Sequence, residues 1–441
     1  MTTEPGTAEP GWPATSRGWY ATFVLTLAYV LSFVDRQILT LLVGPIQADL
    51  DLNDTQMSLL IGAAFAICYT SFGLPLGWLV DRVSRRKVAA IGITFWSVMT
   101  AACGGAGSYA QLFLARMGVG LGEATLTPAT YSLLSDSFPP SRLVRAIGVF
   151  MSGAIIGIGF AYLLGGQLAA WIGANEQVTL PIVGTVRGWQ APFFILLLPG
   201  LLIALLVSFI HEPPRRKPPI SATATPPLLP FLRARARPYG LLFLAMGAQS
   251  VVVYANLSWM PTLMTRRFGW DPASIGQALG LIFLGAGLAG NFLGAWVGGR
   301  LLEQQRTAAY LGLCILAAAL LLLVGPLGPV MASAAGVLAL LVPTILLTSI
   351  PTAIVPAAIQ MTTPGIYRGR VAALYLFATQ MLGLLLGPTT VALFTDYVFA
   401  DRAAIGLSQS AAVTAATLVS LAAFLAARRP FVQLARETSA G

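Results

Sequence analysis

Charge is scarce in this chain. Asp, Glu, Lys and Arg make up 10% of its 441 residues, against roughly 25% in a soluble domain. That excludes a water-facing surface around a soluble core, and with it a separate soluble catalytic domain. Histidine occurs once, at His211 beside Glu212-Pro213-Pro214. The residues for a histidine metal cluster or a nucleophile–histidine set are therefore missing, and no enzyme chemistry is expected. The three cysteines, Cys68, Cys103 and Cys314, all fall inside apolar runs and at no metal or disulfide spacing, so they read as small buried residues. The first 16 residues hold Pro10 and Pro13 and lack a basic stretch followed by a short apolar core and cleavage site. They read as a cytoplasmic tail, with the first apolar span serving as an uncleaved signal anchor.

What fills the chain instead is apolar, 56% of its residues. A helix of about 20 apolar residues crosses a bilayer. Twelve such spans are expected, near 19–43, 55–80, 88–107, 110–135, 144–172, 189–210, 239–264, 274–300, 308–326, 331–361, 369–397 and 406–427. Placing both ends in the cytoplasm assigns 20 Lys and Arg to inside segments and 4, Arg187, Arg266, Arg267 and Arg402, to outside ones. Cytoplasmic loops collect cationic residues, so this is an all-α polytopic protein of the cell membrane with both termini inside. The net charge of +10 is then a topology signal, and no nucleic-acid partner is expected. Residues 211–238, rich in Pro and Arg, read as an exposed linker close to lipid headgroups. The expected organisation is a tail (1–18), a six-helix bundle (19–210), this linker, a second six-helix bundle (239–427) and a tail (428–441).

Four charges lie inside spans: Asp35 and Arg36 in the first, Arg116 and Glu123 in the fourth. Each costs about 2.5–3.5 kcal/mol on insertion scales, so a substrate pathway or proton relay is their default reading. Asp35 and Arg36 point about 100° apart on a helix, and Arg116 and Glu123 stand about two turns apart on one face. Charge balance suggests two cross-helix pairs, Asp35 with Arg116 and Arg36 with Glu123. Asp35 and Glu123 are the only mid-membrane acids and the expected proton carriers, with sodium as the alternative coupling ion and no other cofactor. Arg36 and Arg116 are the expected partners of an anionic head group or of the relay. The second half offers neutral candidates for a pocket lining: Gln249, Tyr254, Asn256, Trp259 and Asn291, then Thr344, Thr348, Thr352, Gln360, Tyr375 and Gln380. A charged half facing a largely apolar one suits an amphiphile. Gly153-x-x-x-Gly157 in the fifth span is a small-residue face for close helix packing.

After the second span the sequence reads Gly77-Trp78-Leu79-Val80-Asp81-Arg82-Val83-Ser84-Arg85-Arg86. This resembles the signature loop of the major facilitator superfamily at Gly77, Asp81, Arg82, Arg85 and Arg86, with Ser84 where the family usually has glycine. The resemblance implies a cytoplasmic gate in which Asp81 docks at the start of span eleven, and Arg82 can meet Asp136. The matching loop of the second half has Gly298 in the acidic position. Arg116-x-x-x-Gly120-x-Gly122-Glu123-Ala124, together with Asp35-Arg36, looks like the bacterial Spinster group of that superfamily. That resemblance implies two six-helix bundles of inverted three-helix repeats with a midplane site. It also implies proton-dependent alternating access and a lysophospholipid or sphingoid phosphate as substrate, moved by a monomer. The anion:cation symporters share part of the pattern, which makes small organic anions, or drug efflux, the alternative.

Overall fold

The computed structural model describes residues 12–173, 177–215, 227–303 and 307–440. Of the expected polar segments, 1–11 of the first tail and 216–226 of the linker lie outside the described residues.

Helices account for nearly all of the chain, and their starts follow from short polar residues at the caps. Ser84, Ser108 and Ser333 each accept the backbone N–H three residues on, and so open α5 (Arg85–Gly104), α6 (Tyr109–Glu123) and α14 (Ala334–Thr362). Asn53 and Gln56 form a reciprocal capping box that starts α3 (Asp54–Ser58). That helix passes through one π turn (Leu59–Ala63) into α4 (Ala64–Val80). The remaining long helices are α1 (Thr15–Leu41), α8 (Pro140–Gly173), α9 (Ala191–Ser208), α11 (Ala236–Phe268), α12 (Pro272–Glu303), α13 (Thr307–Val324), α15 (Gly365–Leu393) and α16 (Ile405–Ala440). Short helices α2 (Val43–Leu50), α7 (Leu126–Ser137) and α10 (Leu228–Ala234) complete the set. One antiparallel hairpin, β1 (Gln177–Leu180) with β2 (Gly184–Arg187), joins α8 to α9.

Among the described residues, eleven helical stretches are long and apolar enough to cross a membrane. The expected fourth span, 110–135, is the twelfth, and it is broken. It runs as α6 and then α7, with the interruption at Ala124–Thr125 immediately after Glu123. Pro128 explains the break. It has no N–H for the carbonyl of Ala124 and its ring crowds that turn, while the Thr125 hydroxyl turns back to the Gly122 carbonyl at 2.8 Å. Past the expected span end at 427, α16 continues to Ala440, and Phe431 and Leu434, three residues apart, bury against a cluster containing Phe231 and Tyr239.

The chain forms two compact units that do not follow the sequence halves. One comprises Met1–Leu52, Ala63–Ser221 and Asp271–Gly280; the other Asn53–Gly62, Ala222–Trp270 and Leu281–Gly441. In the first, α1 packs on α8, α5 on α9 and α6, and α4 on α6. In the second, α11 packs on α15 and α16, and α13 on α14 and α16. Apolar residues such as Phe23, Ile91, Leu198 and Phe292 remain exposed, as a lipid-facing surface requires.

Close approach in the first unit depends on glycine. A Cβ at Gly122 would lie 2.7 Å from the Trp96 Cβ and 2.8 Å from its backbone nitrogen, so α5 and α6 meet backbone to backbone there. At Gly148 an added Cβ would meet nothing within 4 Å. Gly122→Ala should therefore cost about 1–3 kcal/mol and lower the melting midpoint in detergent, whereas Gly148→Ala should leave it unchanged; equal effects at both positions would contradict this packing.

Candidate functional site

The four intramembrane charges converge inside the first unit. Asp35, Arg36, Arg116 and Glu123 are all buried. Arg36 donates from Nε and Nη2 to Oε2 of Glu123 at 2.9 and 2.5 Å, forming a charge-assisted ion pair between α1 and α6. Three rings surround the same guanidinium: Phe65 at 4.3 Å, Phe33 at 4.8 Å and Tyr69 at 5.1 Å from the carbon to the ring centroids. A cation on the faces of desolvated rings gains up to about 2 kcal/mol. The box therefore holds Arg36 in place by something other than its carboxylate.

The other expected pair, Asp35 with Arg116, is not formed as an ion pair. Arg116 Nη1 donates instead to the backbone carbonyl of Asp35 at 3.3 Å. The carboxylate turns toward α5 and accepts from the Thr100 hydroxyl at 3.2 Å. Both departures have one cause: consecutive residues on α1 point in different directions, and Asp35 faces the helix that carries Thr100. Among the described residues, several atoms find no hydrogen-bond partner: Asp35 Oδ1, Glu123 Oε1, and Nε and Nη2 of Arg116. Buried polar groups in this state carry a desolvation cost until something meets them. Chemically, the cluster can accept protons at two carboxylates and an anionic oxygen at two guanidiniums.

A second charged network lies at the end of the same unit, built on the loop from Gly77 to Arg86. The carboxylate of Asp136 pairs with Arg85, not with Arg82. Arg85 is buried because Ser84 caps α5 and turns the next side chain inward. There it also donates to Glu212 at 3.1 Å and to the Pro213 carbonyl at 2.6 Å. Arg82 is exposed and lies over Trp78, 3.6 Å from the ring centroid. Arg86 donates to the Ile210 carbonyl at 3.2 Å, and Asp81 is exposed. Ser84, the departure from the family glycine, donates to Glu212, whose other oxygen accepts the Arg85 backbone N–H at 2.8 Å. Sequence reasoning missed Glu212, which lies 128 residues from Ser84.

The polar candidates of the second unit divide into two kinds. Asn256 is spent on the Val252 carbonyl at 2.8 Å and on Gln409 at 3.0 Å, Trp259 on the Pro388 carbonyl at 2.8 Å, and Thr348 on the Thr344 carbonyl at 3.0 Å. These join neighbouring helices or turns. Tyr254 reaches Gln380 at 3.4 Å and Asn291 reaches Thr352 at 3.2 Å. Tyr375 is buried edge-on to Phe243 at 5.7 Å. Gln249 is buried with no hydrogen bond to its amide among the described residues. An unexpected clasp also lies in this unit. Arg266 grips Asp54 with two 2.7 Å bonds, and Asp396 accepts from the Thr55 N–H and hydroxyl at 2.7 and 2.6 Å. It fastens the short helix α3 to α11 and to the end of α15.

The sequence pattern of the Major Facilitator Superfamily matches residues 25–388, and the chain belongs to that superfamily. It is 29% identical over 290 residues to an MFS-type efflux pump of Mycolicibacterium smegmatis, covering 66% of this chain and 64% of that protein. To a hexuronate transporter of Bacillus subtilis it is 28% identical over 283 residues, covering 60% and 62%. The chain thus spans a little under two thirds of the length of these two relatives. In fold it is similar to a bacterial homolog to the human lysosomal transporter Spinster in an inward-facing, unoccupied conformation. The TM-score is 0.77 at 21% identity, over 96% of this chain and 98% of that one. The protein is a multi-pass membrane protein of this superfamily.

Burial opposes ionisation of Glu212, but the bonds from Ser84 and Arg85 outweigh it and hold the carboxyl below its ordinary value of 4.5. A folded-state value below the unfolded one gives stability that is complete above pH 4.5 and fades as pH falls through the lower folded-state value. Glu212→Gln should lower stability by about 1 kcal/mol near neutrality, the group being partly exposed. The gap between the two melting midpoints should narrow on acidification; a gap unchanged in acid would count against the network.

Proposed function

We propose that the protein is a secondary active transporter that moves an amphiphile with an anionic head, of the lysophospholipid or sphingoid-phosphate class, by proton-coupled alternating access. The observation that carries this reading is the Arg36–Glu123 pair in its ring of Phe33, Phe65 and Tyr69. Glu123 is a built-in anion on a cation that the rings hold independently. An incoming phosphate can take its place on Arg36, with the unsatisfied N–H groups of Arg116 as a second anchor. A carboxylate stripped of its cation in an apolar site takes a proton, which ties substrate to proton. Asp35, whose carboxylate accepts from the Thr100 hydroxyl, is the second proton position. Gly77, Asp81, Arg82, Arg85, Arg86 and Asp136 form the cytoplasmic gate in this reading. Asp81, exposed beside the Arg85 network, is the group that changes partner. Apolar helix faces with few hydroxyl partners favour an acyl tail over a polyol.

A second reading follows from the likeness to the hexuronate transporter. A sugar acid could place its carboxylate on the same Arg36, with the N–H groups of Arg116 as its second anchor.

Binding to the purified full-length protein separates the two. Lysophosphatidylglycerol should bind saturably and glucuronate should not. The paired neutral substitution Arg36→Gln with Glu123→Gln keeps a hydrogen bond and leaves no orphan charge, yet should weaken lysolipid binding at least about tenfold, the worth of one charge-assisted contact. Saturable glucuronate binding without lysolipid binding would instead establish the second reading.

A further inference from the structure

The chain's one histidine takes part in none of these networks. It sits with Ser16, Arg17, Tyr20 and Phe209 around a cavity of about 400 Å³, where α1 begins and α9 ends. Three observations bear on what that cavity holds.

The first is charge. The side chains of Arg17 and His211 are exposed and make no hydrogen bond or ion pair among the described residues. The adjacent carboxylate, Glu212, is turned away and spent on Ser84 and Arg85. A further cation is close in the chain fold: Arg142 donates to the Thr15 hydroxyl at 3.0 Å. The second is the start of α1. Its cap residue Ala14 offers no side chain; its carbonyl accepts the N–H groups of Arg17 and Gly18 at 2.9 and 3.4 Å, and the positive end of a 27-residue helix lies beside Ser16 and Arg17. The positive end of a helix dipole favours an anion. The third is the fringe. Trp19, Tyr20, Phe23 and Phe209 are all exposed around the same helix ends, and the Tyr20 hydroxyl is anchored on the Leu206 carbonyl at 3.0 Å. Exposed aromatics in this pattern mark the border between acyl chains and headgroups. The sequence puts this end of the spans on the face where most Lys and Arg collect.

We infer that the cavity is a binding site for the phosphate of an anionic membrane phospholipid in that leaflet. Arg17 and a His211 N–H hold the phosphate, the Ser16 hydroxyl adds a donor and the positive end of α1 a favourable field, and the acyl chains lie along Phe23 and Phe209. The apolar fringe selects a lipid over free phosphate, which has no use for it. The site is independent of the transport reading, since none of its residues touches Asp35, Arg36, Arg116 or Glu123.

The test is retention of added lipid by the delipidated full-length protein, followed by native mass spectrometry. Dioleoylphosphatidylglycerol should be retained at one saturable site in preference to dioleoylphosphatidylcholine. Arg17→Gln with His211→Gln should weaken that retention about tenfold, with the elution volume and circular dichroism of the protein unchanged. Neutralising Arg428 and Arg429 on the same face should leave it intact. Equal retention of both lipids, no effect of the double variant, an equal effect at Arg428 and Arg429, or displacement by excess inorganic phosphate would each overturn the assignment.

Discussion

The ion pair between Arg36 and Glu123 is the constraint around which the first unit is arranged. Two charges taken out of water are stable only if they meet each other closely and their remaining valences are addressed. Here the bond is short, 2.5 Å at its closest, and the rings of Phe33, Phe65 and Tyr69 cover the cation. Bringing α1, α4, α5 and α6 close enough to seal the pair needs helix surfaces without side chains. Gly122 against Trp96 supplies that between α5 and α6. Loss of either partner alone would leave an uncompensated buried charge, a change that typically costs about 3–5 kcal/mol.

The break after Glu123 belongs to the same logic. Where α6 stops and α7 starts, backbone groups leave the regular ladder beside a carboxylate that has one oxygen unsatisfied. Interrupted helices next to buried charge recur where transporters handle ions and anionic substrates. Asp35 and Arg116 complete the picture by being under-satisfied. A fully satisfied network would be rigid, whereas this one retains capacity for a proton and for an anionic oxygen. The Ser84–Glu212–Arg85 network at the end of the unit is the opposite case. There every member is partnered, and the loop carrying the superfamily signature is fixed by its own Arg85 together with Ser84 and Glu212, which the signature does not contain.

Much of this was legible from residue order, and the rest was hidden for definable reasons. Spans are readable because a 20-residue apolar window has few other uses. The Arg36–Glu123 pair was readable because two acids and two bases inside lipid must balance. Asp35 and Arg116 were misread as an ion pair because charge balance says nothing about which atom a side chain reaches; the Thr100 hydroxyl and the Asp35 carbonyl won. Arg82 and Arg85 were interchanged as partners of Asp136 because a loop sequence does not show where the next helix begins. Ser84 decides that, by capping α5 and burying Arg85. Asp54 with Arg266, 212 residues apart, had no local signal at all, so the membership of α3 in the second unit could not be read. The break in the fourth span had a signal in Pro128, outweighed by the apolar run on either side of it.

The central claim is that Glu123 and an anionic substrate alternate on Arg36, with a proton taken up when Glu123 is displaced. Its most direct measurement is proton exchange on adding lysophosphatidylglycerol to the purified protein in weakly buffered solution, for the natural chain and for Glu123→Gln. The mechanism requires proton uptake by the natural chain that is abolished in Glu123→Gln while the lipid still binds. Uptake of the same size in both proteins would contradict it and move the coupled proton to another group.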